Sequence, residues 1–579
     1  MTSRWVSRAV AALFATSLAA CSGNPTCRPD QLRCGDACVD ATLDPNHCGS
    51  CDHACDPGDV CSVGACNATC LGGLTGCDGR CIDPMTDHDN CGSCGSSCGG
   101  SVCSAGACAG ACAAPLEACG SACVDLASSN TDCGACGNAC ARGQFCDAGA
   151  CTTSKIEHVV LIVEENHTFD TYFGNYCTAE AGSEPTCTEG PSCCEAAPLT
   201  DPTGASPTAL DDFANELDDR DHDRVCEVAQ IDGGLMDHYV TGSGVSVSEL
   251  ESLYTYDCSD PHNFALADSS TLQTYWTYAD QGALADRYFQ PSVGSTSAND
   301  MYLAVAQWQF DDNTDRPDTI GSGCLAPDGV ATIFLHEATV ADMLVGSGIT
   351  FRMYADGYAD AVKAAPQCAS AAGIFPADCE SFEMTTVYST CNYDPSDLPF
   401  EYYPLFADNP RYIVDSTQFA QDVAGGQLPQ FAYVKPRTYR NEHPKWSTIS
   451  RGIDQVTAVV NAIENSPYAS NTLILLTWDE GGGFYDHVSP PATVATRYDH
   501  DANGAAVPYG TRVPMLAIGP FAAAGTVSHV QMEHSSVVRF LEYNFLGPKY
   551  AGALGRRDAV VNNLGSLLDP STTGITIPP

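Results

Sequence analysis

Two predominantly apolar stretches stand out along the chain, and both run into carboxylates. Residues 472–478 read TLILLTW and lead to Asp479, Glu480 and the glycines 481–483; residues 158–163 read HVVLIV and lead to Glu164, Glu165 and Asn166. Apolar runs of this length without alternation predict strands buried on both faces, as in a parallel sheet. Ligands of such sheets collect at the carboxyl ends of the strands. Neighbouring carboxylates there repel each other, and a divalent metal between them relieves the repulsion.

Further strands are expected at 349–354, 431–434 and 513–518. Helical spacing is clear at Ile453, Val456, Val460 and Ile463, and again over 537–545 behind a cap at Ser535 and Ser536. A shorter helix is expected over 302–307. Strands alternating with helices indicate an α/β fold, and a three-layer α/β/α sandwich is the natural architecture. This domain spans 155–565, with 566–579 as a tail.

The pattern before residue 155 is different. From 27 to 151 the chain repeats three times, with eight cysteines per copy: 27, 34, 38, 48, 51, 55, 61 and 66; then 70, 77, 81, 91, 94, 98, 103 and 108; then 112, 119, 123, 133, 136, 140, 146 and 151. Units with so few large apolar residues cannot fold on burial alone, so disulfides are the expected staple. Zinc is the alternative for the Cys-x-x-Cys pairs; the surplus of cysteines and the lack of a repeated histidine argue against it. Spacing leaves the pairing open. The array, 24–152, reads as a stalk or as a binding module for an envelope partner. Ten more cysteines lie between Cys177 and Cys391.

At the amino terminus, Arg4 and Arg8 precede an apolar stretch ending in Leu18, Ala19, Ala20 and Cys21. Residues 1–20 read as a signal peptide with a lipobox, Cys21 becoming the lipidated first residue that attaches the protein to a membrane. An ordinary cleaved signal with a chance cysteine is the bland alternative. The expected location is the bacterial envelope or the exterior.

Charge narrows the function. The 579 residues carry 25 Lys and Arg against 72 Asp and Glu, a formal net charge of −47. So acidic a surface repels nucleic acid. A phosphate-bearing substrate needs a local positive centre, a metal or a protonated histidine.

Nucleophile and acid candidates exist. Residues 292–302 contain a Gly-Ser-Thr-Ser run leading toward a helix, a setting that presents a hydroxyl beside backbone N–H groups. By itself this is ordinary loop composition. His222, His443, His487 and His534 each follow an acidic residue, and an imidazole near a scissile phosphate steadies oxygens or protonates a leaving group. The plain reading of each is a hydrogen-bonded structural histidine. Asp486-His487, close behind the acidic pair, is read as a group that orients metal ligands.

These residues resemble a known family. The stretch 156–174, IEHVVLIVEENHTFDTYFG, is similar to the opening motif of the bacterial phosphoesterases that include non-zinc phospholipases C and respiratory-burst-inhibiting acid phosphatases. Matching motifs follow in order: Asp221-His222, GGLMD at 233–237, ADRYF at 285–289, GSTSAN at 294–299, EHP at 442–444, TWDEGGGFYDHVSPP at 477–491 and EHSSVVR at 533–539.

The resemblance implies an alkaline-phosphatase-like sandwich that cleaves phosphoesters, phospholipids among them, through a covalent phospho-enzyme. It implies Thr296 as nucleophile, and one metal on Glu165, Asn166, Thr296, Asp479 and Glu480. His222 and His443 would contact the phosphoryl group, and Asn299 would shape the pocket. Carboxylates, an amide oxygen and an alkoxide are hard donors that favour Mg, Ca or Mn.

Three departures stand out: His167-Thr168 where the family has Arg-Ser, Ala298 where Pro is frequent, and Asp300 where Arg is frequent. Losing an arginine removes a bidentate phosphate donor. The competing hypothesis is an envelope-anchored binding protein whose phosphoesterase fold is catalytically silent. The joint presence of Glu165, Asn166, Thr296, Asp479 and Glu480 speaks against it.

Overall fold

The computed structural model describes residues 27–248, 255–322, 331–368, 393–492 and 499–579. Cys21, the signal segment, Cys324, Cys379 and Cys391 lie outside them.

An eight-stranded mixed sheet forms the centre of the large domain. Its strands are β1 (His158–Glu164), β2 (Ala283–Ala285), β3 (Phe351–Ala355), β4 (Ile413–Asp415), β5 (Phe431–Lys435), β6 (Thr472–Trp478), β7 (Met515–Ile518) and β8 (Thr526–Ser528), arranged in the order β4-β3-β5-β1-β6-β7-β2-β8. The block from β4 to β6 is parallel, and β7 runs antiparallel to both β6 and β2. The two apolar runs are the central neighbours. Apart from half-buried His158, every residue of β1 and β6 is buried, as unalternating patterning requires. Each fully buried Leu or Ile contributes roughly 1.5–3 kcal/mol.

Helices α1 (Phe169–Phe173), α2 (Ser269–Gln281), α3 (Thr296–Val305), α4 (Val340–Gly346), α5 (Gln418–Ala424), α6 (Ile449–Glu464) and α7 (His534–Leu541) complete the sandwich. Long helices fall into two mutually contacting groups, α2, α5 and α6 in one and α3, α4 and α7 in the other. The expected α/β fold is therefore present. Two helix boundaries differ from expectation. Helix α3 starts at Thr296, six residues before 302, because Ser295 is already extended and ends the loop. Helix α7 is capped by Glu533, whose side chain accepts from Ser535 N, and runs on past Leu541 as a π-helical turn, Glu542–Leu546, so its expected reach to 545 holds while its cap differs.

Three small strands of the sheet, β2, β4 and β8, were not expected. The segment 566–579 is also no loose tail: Lys155 N donates to Thr573 O at 2.9 Å, and Ile575 and Ile577 lie in the main core.

The amino-terminal repeats are disulfide-linked with one pattern. Counting cysteines within a copy, the first pairs with the third, the second with the fifth, the fourth with the seventh and the sixth with the eighth: Cys27–Cys38, Cys34–Cys51, Cys48–Cys61 and Cys55–Cys66, repeated in the next two copies. The large domain adds Cys177–Cys194, Cys187–Cys193 and Cys226–Cys258.

The array does not stand off as a stalk. Val63, Ala65, Leu71 and Phe145 are buried in the same core as β1 and β6. Gly72 N donates to Ala553 O at 2.7 Å, Arg142 Nη2 donates to Gly346 O at 2.8 Å, and Asn67 Oδ1 accepts from Ala338 N at 3.2 Å. At Gly346 the fit is backbone on backbone, since a Cβ there would collide with Gly64.

Candidate active site

In-register pairing of β1 with β6, from His158 opposite Thr472 to Glu164 opposite Trp478, brings Glu165 level with Asp479. Asp479 N continues the ladder to Glu164 O at 3.1 Å, and Asp479 Oδ1 accepts from Asn166 N at 2.9 Å and Glu480 N at 2.8 Å. Asn166 adopts a left-handed backbone, φ 64°, uncommon for a side-chain-bearing residue and frequent at sites that hold a group in a fixed position. The turn opposite leaves room for it: Gly482 has φ 62°, and a Cβ on it would collide with the Asn166 carbonyl oxygen. The glycine tract after Glu480 is thus a requirement of close approach.

Five carboxylates, Glu164, Glu165, Asp300, Asp479 and Glu480, are each at most 2% exposed at this end of the sheet. Lys435, the last residue of β5, answers part of that charge: its Nζ lies 2.8 Å from Glu165 Oε1 and 3.6 Å from Asp300 Oδ2. Burial, then the neighbouring carboxylates, push the acids Glu480 and Asp300 well above the ordinary range, and Asp479 up to about 6. Buried oxygens without a hydrogen-bond partner include Asn166 Oδ1, Asp479 Oδ2 and both oxygens of Glu164. Unsatisfied hard oxygens beside excess negative charge are the donor set that a divalent cation fits.

Thr296 opens α3 and is 3% exposed. Asp300, one turn along the same helix face, is the residue that meets Lys435, so the first turn of α3 lies against the carboxylate cluster. The loop before it is tightly tied. Asn299 Oδ1 accepts from Ser292 N and Oγ at 3.1 Å each, and its Nδ2 donates to Gly294 O at 2.7 Å, so it shapes the loop. Ser295 Oγ donates to Asp223 Oδ1 at 3.1 Å, and Gly294 N donates to Glu227 Oε2 at 2.6 Å.

His222 and His443 converge on the amide of Asn166. Their Nε2 atoms lie 3.3 and 3.1 Å from Asn166 Nδ2. Each Nδ1 faces a carbonyl oxygen, of Arg220 at 2.6 Å and of Pro444 at 2.7 Å, which sets Nδ1 as donor and aims Nε2 into the site. His222 Nε2 also lies 3.5 Å from Glu480 Oε1. Burial works against its charge, yet the field of Glu480 with Asp219 and Asp223 raises it to about 10.

Two of the supporting residues, Lys435 and Gln290, are not singled out by the sequence. Lys435 had one available signal, its place at a strand's carboxyl end. Gln290 had none: it joins the nucleophile loop to the glycine turn, donating to Glu227 Oε2 at 2.8 Å and Ser292 O at 2.9 Å while accepting from Gly481 N at 2.7 Å. His534 braces the Asp479 backbone, Nε2 to Asp479 O at 2.7 Å, with Tyr288 OH on Nδ1 at 2.9 Å. Glu442 accepts from Tyr172, Tyr275 and Trp478, anchoring the His443 loop to the end of β6.

The departure at His167 resolves into packing. His167 is buried between Tyr172 and Phe484, with ring centroids 4.4 and 5.0 Å away, and bonds Glu165 O and Asn215 Oδ1. Burial pushes its pKa down to about 3, so the ring is neutral and replaces no cationic phosphate donor.

Asp486-His487 does not contact the acidic pair; its partners lie elsewhere. Asp486 pairs with Arg512 Nε at 2.9 Å, and His487 bridges Asp170 at 2.8 Å and Glu195 at 2.9 Å, clamping the loop after β6 onto α1. Although burial opposes it, Asp170 and Glu195 raise the His487 pKa to about 9. This value lies above the ordinary 6.5, so the stabilisation is complete below pH 6.5 and vanishes as pH rises through about 9. Urea unfolding of wild type and His487→Gln at pH 6 and pH 10 is expected to differ by up to about 3 kcal/mol at the lower pH and to converge at the higher. A gap that grows with pH would refute this assignment.

The model of the Phosphoesterase family matches residues 156–546, and that of the Stigma-specific STIG1-like protein family matches 13–69. Hemolytic phospholipase C of Pseudomonas aeruginosa is 24% identical over 459 residues, covering 73% of this chain and 57% of that protein. Phospholipase C B of Mycobacterium tuberculosis is 24% identical over 446 residues, 72% of this chain and 79% of that one. The chain thus spans little more than half the length of the Pseudomonas relative. A solved protein of the alkaline phosphatase superfamily from Vibrio parahaemolyticus has a TM-score of 0.25 at 10% identity, over 51% of this chain and 65% of that one.

Proposed function

The chain belongs to the Phosphoesterase family, and from that premise we propose that it hydrolyses phosphoester bonds through a covalent phospho-threonine at Thr296, with one divalent metal ion. What carries the reading is the convergence at one sheet end of Glu165, Asn166, Asp479 and Glu480, the unpartnered buried oxygens of Asn166 and Asp479, two Nε2 atoms aimed at Asn166, and the helix headed by Thr296.

Glu165, Asn166, Asp479 and Glu480 would hold the ion together with Thr296 Oγ1. When bound, it lowers the pKa of the threonine hydroxyl and neutralises charge on the phosphoryl group. Thr296 Oγ1, its proton released to solvent, attacks phosphorus, and the bond to the leaving alcohol oxygen breaks. His222, with Nδ1 pinned to Arg220 O, is suited to give its Nε2 proton to that oxygen. His443 Nε2 steadies a phosphoryl oxygen from the other side of Asn166. Water hydrolyses the phospho-threonine, releasing phosphate or a phosphomonoester and returning the hydroxyl. Lys435 holds Glu165 in place from beneath.

Lipidation at Cys21 would keep this chemistry at a membrane surface, and with relatives named phospholipases C, a phospholipid is the first substrate to test. The full chain, assayed on p-nitrophenyl phosphate and p-nitrophenylphosphorylcholine, is expected to lose turnover at least about 100-fold on metal stripping, since the ion supplies several kcal/mol at the transition state. Mg, Ca or Mn is expected to restore it, and elemental analysis to find one ion per chain. Turnover on neither ester with any of these ions overturns the reading. Full turnover by metal-free protein overturns the metal site alone.

A further inference from the structure

The segment that carries Thr296 is gripped at both ends by two consecutive arginines that no part of the proposed chemistry uses. Arg557 Nη1 donates to Pro291 O at 2.5 Å, before the nucleophile loop, and its backbone N donates to Ala306 O at 3.0 Å, just past the end of α3. Arg556 Nη1 donates to Val305 O at 2.9 Å and to Ala338 O at 3.0 Å. The Arg557 guanidinium also lies over Tyr302 and Tyr509, 4.5 and 4.7 Å from the ring centres, with Nε 3.2 Å from Asp499 Oδ2. Tyr302 belongs to α3, so Arg557 holds the helix by its side as well as by its carboxyl end.

Both arginines are buried, and the chain leading to them is where the disulfide array docks. Ala553 O accepts from Gly72 N, and Phe145 of the third repeat packs against Gly547. Ala338 has its N–H bonded to Asn67 of the array and its C=O bonded to Arg556. The array further seats on Gly346, the last residue of α4, which packs on α3.

We propose that the cysteine-rich array is a positioning element of the catalytic domain: docked on Ala338, Gly346 and Ala553, it fixes Arg556 and Arg557, which set the placement of Thr296. Buried multi-point contacts of this kind hold a reacting group within tenths of an ångström, and a 1 Å misplacement costs on the order of 100-fold in rate. The rate part of the proposal rests on Thr296 being the nucleophile; the mechanical part does not.

The test uses the full chain with Gly346→Val, which drives a side chain into Gly64, and the milder Asn67→Ala, which removes the acceptor for Ala338 N. Hydrogen exchange over 291–306 is expected to accelerate in both, more in Gly346→Val. Turnover of p-nitrophenyl phosphate is expected to show kcat down by roughly 100-fold in Gly346→Val and by several-fold in Asn67→Ala, with KM within about threefold. Arg557→Lys is expected to recover more kcat than Arg557→Gln. Unchanged exchange over 291–306 while array amides exchange faster overturns the coupling, as does a KM increase at constant kcat. Should Gly346→Val not fold, Asn67→Ala decides by the same two readouts. If Thr296→Ala remains active yet the exchange coupling is seen, the nucleophile reading fails and the positioning role of the array stands.

Discussion

Thr296→Ala is expected to lower turnover by roughly four orders of magnitude or more while leaving the thermal midpoint nearly unchanged. Loss of a nucleophile that acts in concert with its activating group removes most of the catalysis, and what remains comes from binding and electrostatics. Thr296 stands at the first position of α3, with Ser295 as the cap residue, so the substitution removes a hydroxyl without taking a cap from the helix. Thr296→Ser retains the hydroxyl and is expected to retain most of the turnover. Acid quenching during turnover followed by mass spectrometry should find phosphate on the peptide containing Thr296 in wild type and none in Thr296→Ala. Turnover by Thr296→Ala near the wild-type rate would sink the assignment.

The second large effect is expected at a residue with no side chain. Gly482→Ala forces a Cβ onto a backbone at φ 62° and into the Asn166 carbonyl oxygen. The left-handed conformation alone costs about 1–2 kcal/mol for an L residue, and the collision adds to it. Relief requires either Asn166 or the 480–483 turn to retreat, and each displaces a proposed metal ligand. Metal content measured by elemental analysis should fall below one ion per chain, and kcat by at least about 100-fold. A neighbouring control is Gly504→Ala: its φ of 79° carries similar backbone strain but nothing lies within 4 Å of the added Cβ, so it should keep its metal and its turnover. Equal behaviour of the two variants would show that strain, and not the approach to Asn166, is what matters.

The central pair of strands was legible because β1 and β6 are long enough, and apolar enough without a break, for the pattern to have only one reading. The carboxylates after them were legible for the same reason, since strand ends locate ligands. Strands β2, β4 and β8 have three residues each, too few for any period to register, and exist because longer neighbours pair with them. Helix α3 was placed too late because its first turn, Thr296 to Asn299, is small and mostly polar; that turn is buried through tertiary structure, with Asn299 tied to the 292–295 loop and the next residue, Asp300, meeting Lys435, which local pattern does not encode. Gln290 lay outside reach, and Lys435 was marked only by its place at a strand end, for a related reason. Their roles depend on partners 191 and 270 residues away in sequence, Gly481 and Glu165. The cysteines announced disulfides, but the docking of the array on Gly346 and Ala553 depends on shape alone.

The disulfide pattern also decides what a single cut can do. Within each repeat the four bridged intervals overlap end to end, residues 27–38, 34–51, 48–61 and 55–66 in the first, so every peptide bond between the outer cysteines is spanned by at least one bridge. A protease that nicks any one of them leaves the repeat in one covalent piece. Severing the array needs a cut in the short bridge-free links, 67–69 or 109–111. Both links hold exposed residues: Asn67 is buried against Ala338, but Ala68 and Thr69 beside it are exposed, as are Gly110 and Ala111 in the second. A cut in the first link leaves two repeats attached to the enzyme, and a cut in the second leaves one.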